Sequence, residues 1–346
     1  MRKLVLISLF AMILAPLSLV ASEPAKGVKR GEFLGAQPVE IPKWFKSSFL
    51  DLKEDIGEAA GSGKRVMLYF HQNGCPYCAK LVNDNFTDKR IVDYLHKNFD
   101  SLDINMWGDR EVTGLDGKTY NEKSYAANQK VWFTPSILFY DEKGKVALRI
   151  NGYYPPDKFL IALQYVKEKK ENSLSFTDYY TQFTKKQKPG KLQREAFFVK
   201  PAYDLQKLKQ TGKPLALLFE EGDCKPCDRL HAVSLQDKDT VDIMKKFNVV
   251  QLDRWSDTPV TDLDGNKTTA KALARKLGVA FAPSAVLYDK GKEVIRIEAF
   301  LKNFHVQSVF DYVLSGGYKK ETSFQRYLEH RADAIRDKGK TVDLWK

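Results

Sequence analysis

Val66-Met67-Leu68-Tyr69-Phe70-His71-Gln72-Asn73-Gly74-Cys75-Pro76-Tyr77-Cys78-Ala79-Lys80-Leu81 is the stretch on which the reading of this chain turns. An apolar run of strand length ends in a polar turn containing glycine, and two cysteines then open a helix. At a helix N-terminus the unpaired backbone N–H groups and the macrodipole favour an anion, so a thiolate at Cys75 is stabilised there. Cys75 is therefore expected to be the more acidic and more nucleophilic thiol. Cys78, three residues on, shares its helical face and is close enough to close a disulfide. Pro76 suits a first-turn position, where its missing N–H costs nothing.

The same pattern returns later in the chain. Leu215-Ala216-Leu217-Leu218-Phe219 leads through Glu220-Glu221-Gly222-Asp223 into Cys224-Lys225-Pro226-Cys227, with both cysteines 149 residues beyond Cys75 and Cys78. Trp107, Leu115-Asp116-Gly117 and Pro135 recur as Trp255, Leu263-Asp264-Gly265 and Pro283, and Ser175-Phe176 with Tyr179 recurs as Ser323-Phe324 with Tyr327, all at an offset of 148. So many matches at nearly one offset mean an internal duplication.

At 346 residues the chain accommodates two domains that each bury a core, and 43% hydrophobic with 29% charged residues excludes a mainly disordered or membrane-embedded protein. Met1-Arg2-Lys3 followed by the apolar run Leu4 to Val20 reads as a secretory signal ending near Ala21 or Ser22. It is short for a spanning helix and contains Pro16. All four cysteines fall in the two C-x-x-C motifs; an exported protein using cysteine for stability would scatter them through its loops, so these pairs are read as chemical. The net charge of +12 reads first as a solvated basic surface and second as steering toward acidic protein partners. Nucleic acid is disfavoured by export and by the lack of an aromatic-rich RNA motif.

Taken in order, the chain divides into a signal peptide (1–22), an extended lead-in (23–43), a first domain (44–170), a Lys-rich linker (171–195), a second domain (196–321) and a helical tail (322–346). Within the first domain the expected order is an amphipathic helix over 44–63, strand 66–70, the cysteine helix, a helix over 91–99 and strand 101–105. A hairpin tip at Asp116-Gly117 follows, then a helix over 121–130, strand 137–140, strand 146–150 and a last helix opened by Pro155-Pro156. The second domain repeats this order. The tail is expected to pack against it.

Strand, C-x-x-C helix and a downstream X-Pro step before an antiparallel pair resemble the thioredoxin superfamily. The resemblance rests on Cys75-Pro76-Tyr77-Cys78 with Thr134-Pro135, and on Cys224-Lys225-Pro226-Cys227 with Ala282-Pro283. It implies an α/β chain of two tandem thioredoxin-like domains, each a central mixed sheet flanked by helices. Cys75 and Cys224 are then the attacking cysteines and Cys78 and Cys227 the resolving ones. Thr134-Pro135 and Ala282-Pro283, with a cis peptide at each Pro, gate the substrate, and Pro76, Tyr77, Lys225 and Pro226 tune the potentials. Two departures stand out: Gly74 and Asp223 occupy the place where thioredoxins carry Trp, and neither Val66–Phe70 nor Leu215–Phe219 holds their buried acid. His71, Glu220 and Glu221 are the nearest residues for proton handling, although each reads more readily as a solvated loop residue. Asp223 opposes the Cys224 thiolate and Lys225 favours it.

The export signal, the Phe-His-Gln-Asn-Gly-Cys-Pro-Tyr-Cys run, the Asp-Gly insertion and the closing Val-Asp-Leu-Trp are similar to SoxW-type periplasmic thioredoxins. That likeness implies a periplasmic thiol–disulfide oxidoreductase with no cofactor beyond its redox disulfides. It reduces cysteine-containing envelope proteins, draws electrons from a membrane or periplasmic donor, and is not inserted in the membrane after signal cleavage. The alternatives are a periplasmic disulfide isomerase or oxidase, and a partner-docking protein with one redox-active domain. A four-thiolate zinc site is disfavoured by knuckles about 145 residues apart, each in its own apolar scaffold. His96, His231, His305 and His330 show no ligand spacing and read as surface residues.

Overall fold

The computed structural model describes residues 29–183, 188–298 and 300–346; the expected signal at 1–22 and the start of the lead-in lie outside them. The lead-in carries one short strand, β1 (Phe33–Leu34). The first copy runs α1 (Leu52–Gly61), β2 (Arg65–His71), α2 (Pro76–Asp84), α3 (Lys89–Asn98), β3 (Phe99–Asn105), β4 (Glu111–Thr113) and β5 (Thr119–Asn121). It closes with α4 (Glu122–Asn128), β6 (Ser136–Tyr140), β7 (Val146–Asn151) and α5 (Pro156–Lys167). After α6 (Phe176–Thr181), the second copy runs β8 (Tyr203–Asp204), α7 (Leu205–Lys209), β9 (Leu215–Glu220), α8 (Lys225–Ala232), α9 (Lys238–Met244), β10 (Asn248–Asp253), β11 (Pro259–Thr261) and β12 (Lys267–Thr269). Then come α10 (Ala270–Lys276), β13 (Ser284–Asp289), β14 (Lys292–Ile297), α11 (Asn303–Leu314) and α12 (Gly317–Lys320), and the tail adds α13 (Phe324–Arg336) and β15 (Val342–Asp343).

Each copy is built on a four-stranded mixed sheet, in order β3-β2-β6-β7 and β10-β9-β13-β14. In both, the strand before the cysteines is parallel to one neighbour and antiparallel to the other. All seven residues of β2 are buried because helices cover both faces of the sheet. Met67 and Tyr69 meet Leu81, Ile91, Phe139 and Phe159, while Val66, Leu68 and Phe70 meet Leu52, Ile56 and Tyr125. A strand buried on both faces has to be a continuous apolar run, which is how it reads in sequence. The duplication extends to single hydrogen bonds. Trp107 donates to Gln72 and Trp255 to Glu221, Ser136 to the Phe133 carbonyl and Ser284 to that of Phe281.

Three expectations are corrected. The helix expected over 44–63 begins only at Leu52: Leu50 has φ 61°, and Asp51 caps the helix by accepting the N–H groups of Lys53 and Glu54. Ahead of it Trp44 and Phe45 still reach the first core, but Phe49 is wholly exposed. The Lys-rich stretch 171–195 is not plain linker, since Ser175 caps α6 and Tyr179 packs on Tyr165 of α5. Its aromatic stripe outweighs its charge, as in the repeat, where Ser323 caps α13. The tail packs Phe324, Leu328 and Ala332 into the second core, but it also touches the first copy, the Gln325 N–H donating to the Trp132 carbonyl at 2.8 Å. Its end, β15, pairs in parallel with β1.

Candidate active sites

Cys75 ends the turn after β2 and is the N-cap of α2; its Sγ accepts the Cys78 N–H at 3.1 Å, with Pro76 in the first turn. Cys224 caps α8 in the same way and accepts the Cys227 N–H at 3.1 Å. Both pairs are closed as disulfides, Cys75–Cys78 and Cys224–Cys227. The chain enters each helix through a left-handed residue, Gly74 at φ 78° and Asp223 at φ 53°. Gly adopts that conformation freely and Asp is among the few other residues that tolerate it.

Thr134-Pro135 and Ala282-Pro283 precede β6 and β13, and both peptides are cis. Thr134 Oγ1 donates to Cys75 Sγ at 3.4 Å, and the Thr134 carbonyl lies 3.7 Å from that sulfur, placed to accept the proton of the reduced thiol. Ala282 has no hydroxyl, so Cys224 lacks the first of these contacts. It lines a cleft of about 820 Å³ together with Cys224, Lys225 and Pro226, while Pro283 faces the second core.

The two sites differ in cover. Pro76 and Tyr77 are buried, whereas their counterparts Lys225 and Pro226 are exposed. Tyr77 is held against the second copy: its hydroxyl accepts the Lys302 N–H at 2.8 Å, and its ring packs edge-on against His305 (5.0 Å) and Trp345 (5.2 Å). Beside Cys75 this leaves a cavity of about 200 Å³ walled by Thr134 and Pro135 and, from the second copy and tail, by Ile297, Phe304, Leu328 and Leu344. Burial pushes the His305 imidazole down to about 4 and raises the Tyr77 phenol above its ordinary range.

The titratable groups near the motifs are not solvated loop residues. His71 is buried and meets Asp103 at 3.2 Å; Glu221 accepts from the Trp255 indole at 2.8 Å and from Arg254 at 3.2 Å. Glu220, at the end of β9, is buried against His231, whose other ring nitrogen meets Glu195 at 2.8 Å. His231 is thus a core residue rather than the surface histidine expected. Burial alone would lower its pKa, but the hydrogen bonds to Glu220 and Glu195 outweigh that and raise it. No hydrogen bond joins these groups to a cysteine sulfur among the described residues. Sequence reasoning missed the His231 cluster; its signal was the i, i+4 placement of His231 behind Cys227 on one helical face. Among the described residues no group of three or more His, Cys, Asp or Glu is arranged to hold a metal ion, and no helix is long and apolar enough to cross a membrane.

Two vicinal disulfides, each at the start of the helix that follows a buried central strand, define a thiol–disulfide oxidoreductase. The chain belongs to the thioredoxin-like domain family, whose model matches it twice, at residues 52–167 and 201–314. Among solved structures it is similar to a thioredoxin-fold protein from Helicobacter pylori, at 25% identity over 35% of this chain and 80% of that one, TM-score 0.31. It is also similar to a thioredoxin from Thermus thermophilus (24% identity, 34% and 84% covered, TM-score 0.27). A third is a DsbH oxidoreductase (15%, 40% and 88%, TM-score 0.26). No curated protein matches the chain.

Proposed function

We propose that this protein is an exported reductant of disulfides in cysteine-containing envelope proteins, working in the periplasm and recharged there by a membrane or periplasmic dithiol donor. The expected signal at 1–22 and the use of every cysteine in a vicinal pair support export and redox work together. The observation that carries the choice of the working pair is the contrast in cover; the direction of exchange rests on the likeness to periplasmic reductants and is what the potentials below decide. Cys224 opens on a wide cleft suited to a partner's disulfide, while Cys75 sits behind Tyr77 and the tail. The second pair is accordingly the one that meets partners, and the first is served only when the two copies part around Tyr77.

Reduction potentials test this. Each pair is measured alone, in Cys75→Ser/Cys78→Ser and Cys224→Ser/Cys227→Ser proteins equilibrated against glutathione or dithiothreitol. A value near about −270 mV at the Cys224 pair is expected of a reductant. A value near about −120 mV would make it an oxidant or isomerase and overturn the proposal.

A further inference from the structure

Of the cations lining the cleft beside Cys224, Lys80 and Arg254 are paired with carboxylates, Lys158 is buried over the Tyr154 and Phe281 rings, Lys225 is exposed beside the cysteine, and Arg229 and Lys302 each rest on a ring. Arg229, on α8 two residues past Cys227, lies over the Phe300 ring at 5.1 Å; Lys302, the N-cap of α11, lies over the Trp345 indole at 5.5 Å. Among the described residues neither has a carboxylate at ion-pair distance; Asp343 attracts Lys302 only from further away. Burial and the nearby Arg229 charge both lower the Lys302 pKa, the mark of two like charges held close together. The carboxylates lining the same cleft, by contrast, are engaged. Asp157 pairs with Arg90 at 3.0 Å, Glu221 with Arg254 at 3.2 Å and Glu298 with Arg296 at 3.8 Å, and Asp223 is not free either. Stacking on a ring holds each cation at the cleft lining, Arg229 exposed and Lys302 half-buried.

We infer that Arg229 and Lys302 form a carboxylate-binding site beside Cys224, so that the second pair selects disulfides whose cysteine is flanked by an acidic group. This rests on the reading of the second pair as the one that reduces substrates, and it names the substrate class. With the carboxylate held, the Cys224 thiolate attacks the nearer substrate sulfur. A Cys224–substrate S–S bond forms, the substrate S–S bond breaks, and the departing thiolate takes up a proton. The Cys227 thiolate then attacks Cys224 Sγ, closing the Cys224–Cys227 disulfide and releasing the second substrate thiol. Two electrons and two protons pass from the protein dithiol to the substrate disulfide, and an external dithiol restores the pair.

The test uses the full chain carrying Cys75→Ser/Cys78→Ser, with dithiothreitol as the dithiol and three symmetric tripeptide disulfides that place Glu, Gln or Lys next to the cysteine. The expected kcat/KM is about tenfold higher for the Glu than for the Gln probe, the size of one charge-assisted contact, and lowest for Lys. That ratio is expected to fall toward one in Arg229→Gln and in Lys302→Gln, to be partly kept in Arg229→Lys, and to collapse for the parent protein in about 0.5 M NaCl. The salt series reads the site even where a variant fails to fold. Oxidised glutathione separates the sources of the carboxylate: faster turnover than the Glu peptide points to a free acidic disulfide, and slower turnover to an acidic protein segment. Equal rates on all three peptides, or a Glu preference that survives both substitutions to Gln, would overturn the site. Turnover of no probe at all would overturn the reading of the second pair itself, and the site with it.

Discussion

In the protein lacking Cys75 and Cys78, Cys224→Ser is expected to lower kcat/KM for a disulfide probe by at least about a thousandfold. Cys227→Ser instead leaves the first half of the exchange intact and accumulates a covalent adduct between Cys224 and the probe. The assignment follows from where each sulfur sits. Cys224 caps α8 and accepts the Cys227 N–H, a contact that a negative sulfur makes more strongly than a thiol, and it lies where the helix dipole favours an anion. Cys224 is 6% exposed and Cys227 only 3%; in the first pair Cys75 is 4% exposed and Cys78 0%. On this assignment the outer cysteine of each pair is the better stabilised thiolate and the one a substrate meets, and the inner one attacks only a disulfide already formed at its neighbour. Non-reducing gels and intact-mass spectra decide between the roles. An adduct that builds up in Cys224→Ser and is absent from Cys227→Ser would reverse them.

The β2–α2 junction was legible because three local signals agree there: a continuous apolar run, a glycine turn and a cysteine with Pro in the first turn. The repeat made the same junction legible at Cys224 without independent support. The helix start at Leu52 escapes the sequence because the spacing of Phe45 and Phe49 mimics a helical stripe, whereas residues 46–50 form no helix and Leu50 is left-handed. The cover over Cys75 left no pattern to read. The Lys302 N–H and the Tyr77 hydroxyl are 225 residues apart, and Gln325 meets Trp132 through backbone atoms alone. Nor did Glu220 announce its burial. A carboxylate at a strand end reads as solvated until the histidine that neutralises it is found one turn behind Cys227.

That histidine supports the second-largest effect expected of a single change. His231 is 2% exposed, with Glu220 at 3.1 Å on one ring nitrogen and Glu195 at 2.8 Å on the other. His231→Leu leaves the buried Glu220 carboxylate without its one side-chain partner among the described residues, and breaking a buried pair in this way costs about 3–5 kcal/mol. It is read as a fall in the urea midpoint at pH 7, with the Cys224–Cys227 disulfide kept oxidised. His231→Gln separates charge from shape, because an amide donates to Glu220 but carries no proton to lose. The folded state raises the His231 pKa above its ordinary 6.5, so the stabilisation from its charge is complete below about pH 6.5 and is lost as pH rises through the folded value. The advantage of the parent protein over His231→Gln is therefore expected to be largest near pH 6 and to shrink by pH 9. An advantage that stayed level, or grew, toward alkaline pH would mean that the ring is neutral in the fold and holds Glu220 through hydrogen bonding alone.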